Sequence, residues 1–209
     1  MSTLSVGDLQ GLAVNSNVVT VPTGHTLNVT DAGGLQIGGS AVVSAGLVLI
    51  SQTTIGSAVS SVTVTDAFSA DFNNYLIVYK IDAASTTAGF LCEFGVGGTI
   101  TTTGYYESRL TVNSSGVVSG VAQNNVAYLD LNSVVATTGG AGSFQVFRPY
   151  VVAKTGTASV GTDMRTGGGF LRLANGWQDS TTQFTSFRLS PTTGTLTGGE
   201  VSLYGYAKA

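Results

Sequence analysis

The residues able to carry acid–base, nucleophilic or metal chemistry are few in this 209-residue chain, and they lie far apart. The sole histidine, His25, stands in a Pro-Thr-Gly-His turn, and nothing around it resembles a nucleophile elbow. The sole cysteine, Cys92, follows 67 residues later inside the apolar run GFLCEF and reads as a small buried hydrophobe. One His and one Cys at that separation do not supply the ligands of a zinc site, so no metal and no cofactor is expected. The acidic residues Asp71, Asp82, Glu93, Glu107, Asp130, Asp163 and Asp179 are scattered. A glycosidase needs two carboxylates roughly 5–10 Å apart in a cleft. Glu93 and Glu107 could meet across neighbouring strands, but such pairs also arise on sheets by chance. The triplet Gly167–Gly169 lacks the following helix and the Lys-Ser/Thr of a phosphate loop, and no alternating acidic calcium loop is present. The chain is expected not to be an enzyme.

What remains is surface recognition. The stretch LANGWQDSTTQ (173–183) puts the only tryptophan, Trp177, between Asn175–Gly176 and Gln178–Asp179. In a loop, such a ring can stack on a sugar while its amide and carboxylate neighbours hydrogen-bond the hydroxyls. The same mixture can equally plug the end of a β-sandwich, with the indole N–H finding a carbonyl. Tyr105 and Tyr106 present the same two readings, and Asn124–Asn125 reads as a plain turn.

The elements that must position these residues read as strands. Runs with strand character occur at 47–52, 58–65, 75–81, 89–94, 105–112, 126–131, 144–152, 170–174, 183–190 and 200–207, separated by Gly-, Asn- and Thr-rich turns. With no sustained 3.6-residue period, they predict a β-sandwich or jelly roll over residues 47–209. In YLIVYKI (75–81) both faces are largely apolar, which predicts a central strand or one with a face at a subunit contact. Pro149 inside FQVFRPYVV predicts an edge or bulged strand there.

Residues 1–46 differ. Val19, Leu27, Leu35 and Val43 fall eight residues apart, and Val21, Val29 and Ile37 repeat the interval two residues later. Each unit is a brief strand followed by a Gly-rich turn. Strands this short cannot bury their own apolar stripe, so the repeat predicts a short β-stalk stabilised by self-association.

Composition excludes several classes of function. The longest near-apolar run, Ala41 to Ile50, is too short to cross a bilayer. A net charge of −3 gives no basic footprint for nucleic acid. The opening MSTLSVGDLQ lacks a basic region followed by an apolar core, and the single cysteine precludes an internal disulfide. Synthesis and folding in a cytoplasm are expected.

The chain resembles fibre and appendage proteins of marine tailed bacteriophages, notably cyanophages and pelagiphages. The resemblance is carried by MSTLSVGDLQ, VVTVPTGHTLNVTDAGGLQIGG, AVVSAGLVLISQTTIGSAVSSVTV, FSADFNNYLIVYKI and LSPTTGTLTGGEVSLYGY. It implies a virion component: a homotrimeric short fibre or knob, held on the particle by another virion protein at its N-terminus. The head would face outward, toward a host-surface glycan. Against long tail fibres the chain is short, which leaves a capsid decoration or head fibre as the alternative. A free carbohydrate-binding module is the alternative outside the virion. Under the glycan reading the contact residues are Trp177, Gln178, Asp179, Asn175, Tyr105 and Tyr106.

Overall fold

The computed structural model describes Thr23, residues 36–37 and 40–41, and residues 46–165 and 168–208. The chain divides into two units, Met1–Val43 and Ser44–Ala209. In the first, β1 (Gln36–Ile37) pairs antiparallel with β2 (Ser40–Ala41). The rest of the eight-residue repeat, His25 included, lies outside the described residues.

The second unit is all β, with no helix among its described residues. Its strands are β3 (Leu47–Thr54), β4 (Val62–Val64), β5 (Asn74–Ala84), β6 (Ala88–Val96), β7 (Thr99–Ile100), β8 (Tyr105–Val112) and β9 (Val118–Val126). They continue as β10 (Leu129–Val134), β11 (Gly140–Phe147), β12 (Thr155–Asp163), β13 (Leu171–Gln178), β14 (Ser186–Pro191) and β15 (Leu196–Tyr206). A large eight-stranded sheet runs in the order β3-β15-β5-β11-β12-β13-β8-β9. A smaller one runs β10-β6-β14-β4, with β7 beside β6. Every pairing is antiparallel.

One core joins the inward side chains of both sheets. Along β5 the alternation sends Tyr75, Ile77, Tyr79 and Ile81 into it, where they meet Phe90, Phe94, Phe144 and Phe187. β5 is central, between β15 and β11, and its other face, at Leu76, Val78 and Lys80, is half-buried or exposed.

Three strand readings need correction. β11 is also central, between β5 and β12, and not an edge. It ends at Phe147 because Arg148 takes a left-handed φ of 58° and Pro149 has no N–H to continue the ladder. The run 126–131 breaks in two: Val126 closes β9 in the large sheet, and Leu129 opens β10 in the small one. Asn124 and Asn125 lie within β9, not in a turn. Asn125 adopts φ 54° at a bulge opposite Tyr105–Glu107, and its side-chain oxygen accepts the Gly104 N–H at 3.1 Å. The strands β9 and β12 went unread because VSGVAQNNV and TGTASVGTD lack large alternating hydrophobes.

The glycines at Gly142 of β11 and Gly161 of β12 have a packing cause. A Cβ on Gly161 would come within 2.8 Å of Asn132 Nδ2, and one on Gly142 within 2.5 Å of the Tyr79 hydroxyl and 2.7 Å of the Val160 carbonyl. The sheet backbone therefore closes directly over two buried polar side chains. Gly142→Ala is expected to destabilise the fold by about 1–3 kcal/mol, measured by denaturant unfolding. Tyr79→Phe in the same background should restore only part, since the carbonyl clash persists.

Candidate functional site

The outer face of the large sheet carries three of the six candidate contact residues, Trp177, Tyr106 and Asn175. Trp177 on β13 pairs with Tyr106 on β8. On one face of an antiparallel pair such partners stand side by side. Their rings stack with centroids 5.2 Å apart and planes 2° from parallel. Trp177 is 43% exposed, so it sits on a strand as a platform and neither in a loop nor as a plug of the core. Asn175, two residues back on the same face, is exposed. Beside it lies a shallow depression of about 330 Å³ lined by Ser108, Arg109, Leu110, Leu173, Ala174 and Asn175. An aromatic platform with amide and hydroxyl neighbours can stack on an apolar ring face and hydrogen-bond uncharged polar groups.

The remaining predicted contacts lie elsewhere. Tyr105 is fully buried: its hydroxyl accepts the Phe94 N–H at 2.7 Å and donates to the Thr101 carbonyl at 3.0 Å. Strand alternation turns it inward where Tyr106 turns outward, so the pair splits and Tyr105 is not available to a ligand. Gln178 is 2% exposed and holds the strand end, donating to the Thr103 carbonyl at 3.0 Å and accepting the Ser180 N–H at 2.7 Å. Asp179 is exposed and ion-paired with Lys154, whose hydrogen bond holds its carboxyl below the usual range.

The two glutamates each have their own arginine. Glu93 on β6 takes a bidentate bond from Arg188 on β14, at 2.7 and 2.8 Å. Glu107 on β8 accepts the Asp130 N–H at 2.7 Å and lies 3.1 Å from Arg109 Nη1. Asp130 on β10 in turn binds Arg109 and, at 2.7 Å, Arg172 on β13. This Glu107–Arg109–Asp130–Arg172 network ties strands of the large sheet to β10 of the small one. Sequence reading did not assemble it, because its members are spread over 66 residues of the chain. Among the described residues no group of three or more His, Cys, Asp or Glu is placed to hold a metal ion. Cys92 is buried and its thiol is pushed up by burial.

No protein-family model, no curated protein and no solved structure matches the chain. The site stands on its own geometry.

Removing Asp130 leaves two enclosed guanidinium groups, so Asp130→Ala is expected to cost about 3 kcal/mol in equilibrium unfolding. Burial raises both Asp130 and Glu107 above the usual carboxylate range, against the opposing pull of their arginines. A raised folded-state pKa gives stability that is full below the ordinary carboxylate pKa and lost as pH rises through the raised value. The melting temperature should therefore hold or rise as pH falls from about 7 toward about 4, where these groups take up protons. Asp130→Asn with Glu107→Gln removes both titrating carboxyls and should flatten that slope.

Proposed function

We propose that the chain is a structural protein of a phage particle, a short fibre or knob. Its N-terminal segment is held by another virion protein, and its second unit is a β-sandwich displayed outward for host-surface recognition. It assembles as a homotrimer in the host cytoplasm, resides in the virion, and performs no catalysis. The observation that carries this reading is the exposed Trp177–Tyr106 stack on a sheet face whose strands β8, β9 and β11–β13 present no charged side chain. Such a surface suits a neutral glycan, for which stacking and hydroxyl contacts suffice. Trimer symmetry multiplies weak contacts, so that one platform per subunit needs no deep pocket. The sequence likeness to phage appendages and the short repeat ahead of the head support the same reading.

Peptide quantification in purified particles should find the chain at a low multiple of three copies. Its absence from particles contradicts the proposal, and hundreds of copies would move it to capsid decoration. On a panel of neutral host-surface glycans, Trp177→Ala should weaken binding about tenfold, the equivalent of ~1.4 kcal/mol. The same substitution should alter folding stability by less than about 1 kcal/mol, since the ring is exposed. Unchanged binding removes the platform from the site.

A further inference from the structure

Away from the aromatic platform, the outer face of the large sheet holds a second feature. Register places Val78, Ser143, Val160, Leu173 and Leu110 in one row across β5, β11, β12, β13 and β8. The four hydrophobes in that row are between 39% and 45% exposed. Leu171, one step along β13, is 45% exposed as well. The β5–β12 end of the row borders a trough of about 460 Å³, with small Ala141 and Ser143 in its floor and Leu76, Val78, Val160 and Leu171 in its walls. Ridge and trough therefore sit side by side on one surface.

We infer that this face is where copies of the chain pack against one another, the Val160–Leu173–Leu110 ridge of one seating in the Val78–Ser143–Leu171 trough of the next. The inference deepens the homotrimer part of the reading above and rests on it only for the number of copies. Three observations select another copy as the occupant. The first is charge. Lys80, Asp82 and Glu200 gather at one corner of the face, where Lys80 pairs with Asp82 at 2.7 Å and lies opposite Glu200. Across β11, β12, β13, β8 and β9 the outward side chains carry none, because Glu107, Arg109, Arg172 and Asp163 point the other way. A charged partner would gain nothing there, whereas a surface of the same kind loses no hydration of charge on docking.

The second is area. The six strands β5, β11, β12, β13, β8 and β9, about 4.8 Å apart and each contributing about six residues of roughly 3.3 Å, give a face of about 570 Å². Two such faces bury about 1,140 Å² in total, above the roughly 1,000 Å² that a specific interface should clear. The Trp177–Tyr106 stack itself lies outside that patch, which shares Leu173 and Leu110 with the depression beside it: Trp177 lies four residues, roughly 13 Å, along β13 from Leu173. The third is shape, since a ridge and a trough of matching apolar character on one surface meet when two copies are related by symmetry. An apolar patch of this extent is otherwise rare on a surface left to water.

The test is the mass of the full chain over a dilution series, by analytical ultracentrifugation, for the wild type and three variants. Val160→Lys with Leu173→Lys puts two charges on the ridge, and Ser143→Trp fills the trough without charge. Val152→Lys alters a 70% exposed residue outside the sheets and serves as control. The wild type and the control should associate alike, and both face variants should associate at least 100-fold more weakly, with the far-UV spectrum of a β protein kept. A monomeric wild type, or association indifferent to both face variants, overturns the inference. Absence of the chain from particles overturns the virion reading and leaves this interface standing; an oligomer indifferent to the face variants does the reverse.

Discussion

Arg109 on β8 and Arg172 on β13 both reach Asp130, and that meeting fixes which way two neighbouring strands face. The side-chain period in a strand is two, so a one-residue slip would turn every residue of the strand over. With Arg109 and Glu107 inward, Ser108 and Leu110 are outward. With Arg172 inward, Leu171, Leu173, Asn175 and Trp177 are outward. Charges that an ordinary domain would spread over its surface are drawn between the sheets here, and the outer face of β8, β9 and β11–β13 is left without charge as a direct consequence. The same register that satisfies the arginines sets the Trp177–Tyr106 stack and the row from Val78 to Leu110.

Enclosing polar groups has local costs that the sequence absorbs with small residues. The Tyr79 hydroxyl lies under Gly142 and Gly161, and Asn132 under Gly161. Burial pushes the Tyr79 phenol far above its usual value, so it remains neutral in the core. Tyr105 solves the same problem differently, with its hydroxyl bonded to two backbone groups. Polar atoms are thus built into the interior by design of the strands around them, and the outer surface keeps few groups that discourage association.

How much of this was legible in the sequence depended on side-chain size. YYESRLTV and YLIVYKI announce strands because large residues alternate, and both stand close to their predicted positions. TGTASVGTD does not, since it lacks large alternating residues, and its Gly161 answers to Asn132 and Tyr79, a constraint that exists only once the sheets meet. Trp177 was found, yet as a loop residue, because Asn-Gly and Gln-Asp around it imitate a turn. The alternation Leu171, Leu173, Asn175, Trp177 was the signal that could have placed it on a strand. Tyr105 and Tyr106 read alike in sequence and separate only through alternation. The ion network was illegible, since no local pattern joins Glu107, Arg109, Asp130 and Arg172.

The central claim is that the neutral face produced by this register is covered by another copy. The most direct measurement is the thiol-labelling rate of Leu173→Cys in the full chain, against Val152→Cys as an exposed reference. The native Cys92 has 0% exposure and does not compete for reagent in the folded state. The account predicts that the Leu173 position, 45% exposed in the single chain, labels at least tenfold more slowly than the reference at high concentration and catches up on dilution. Equal rates at every concentration would contradict it.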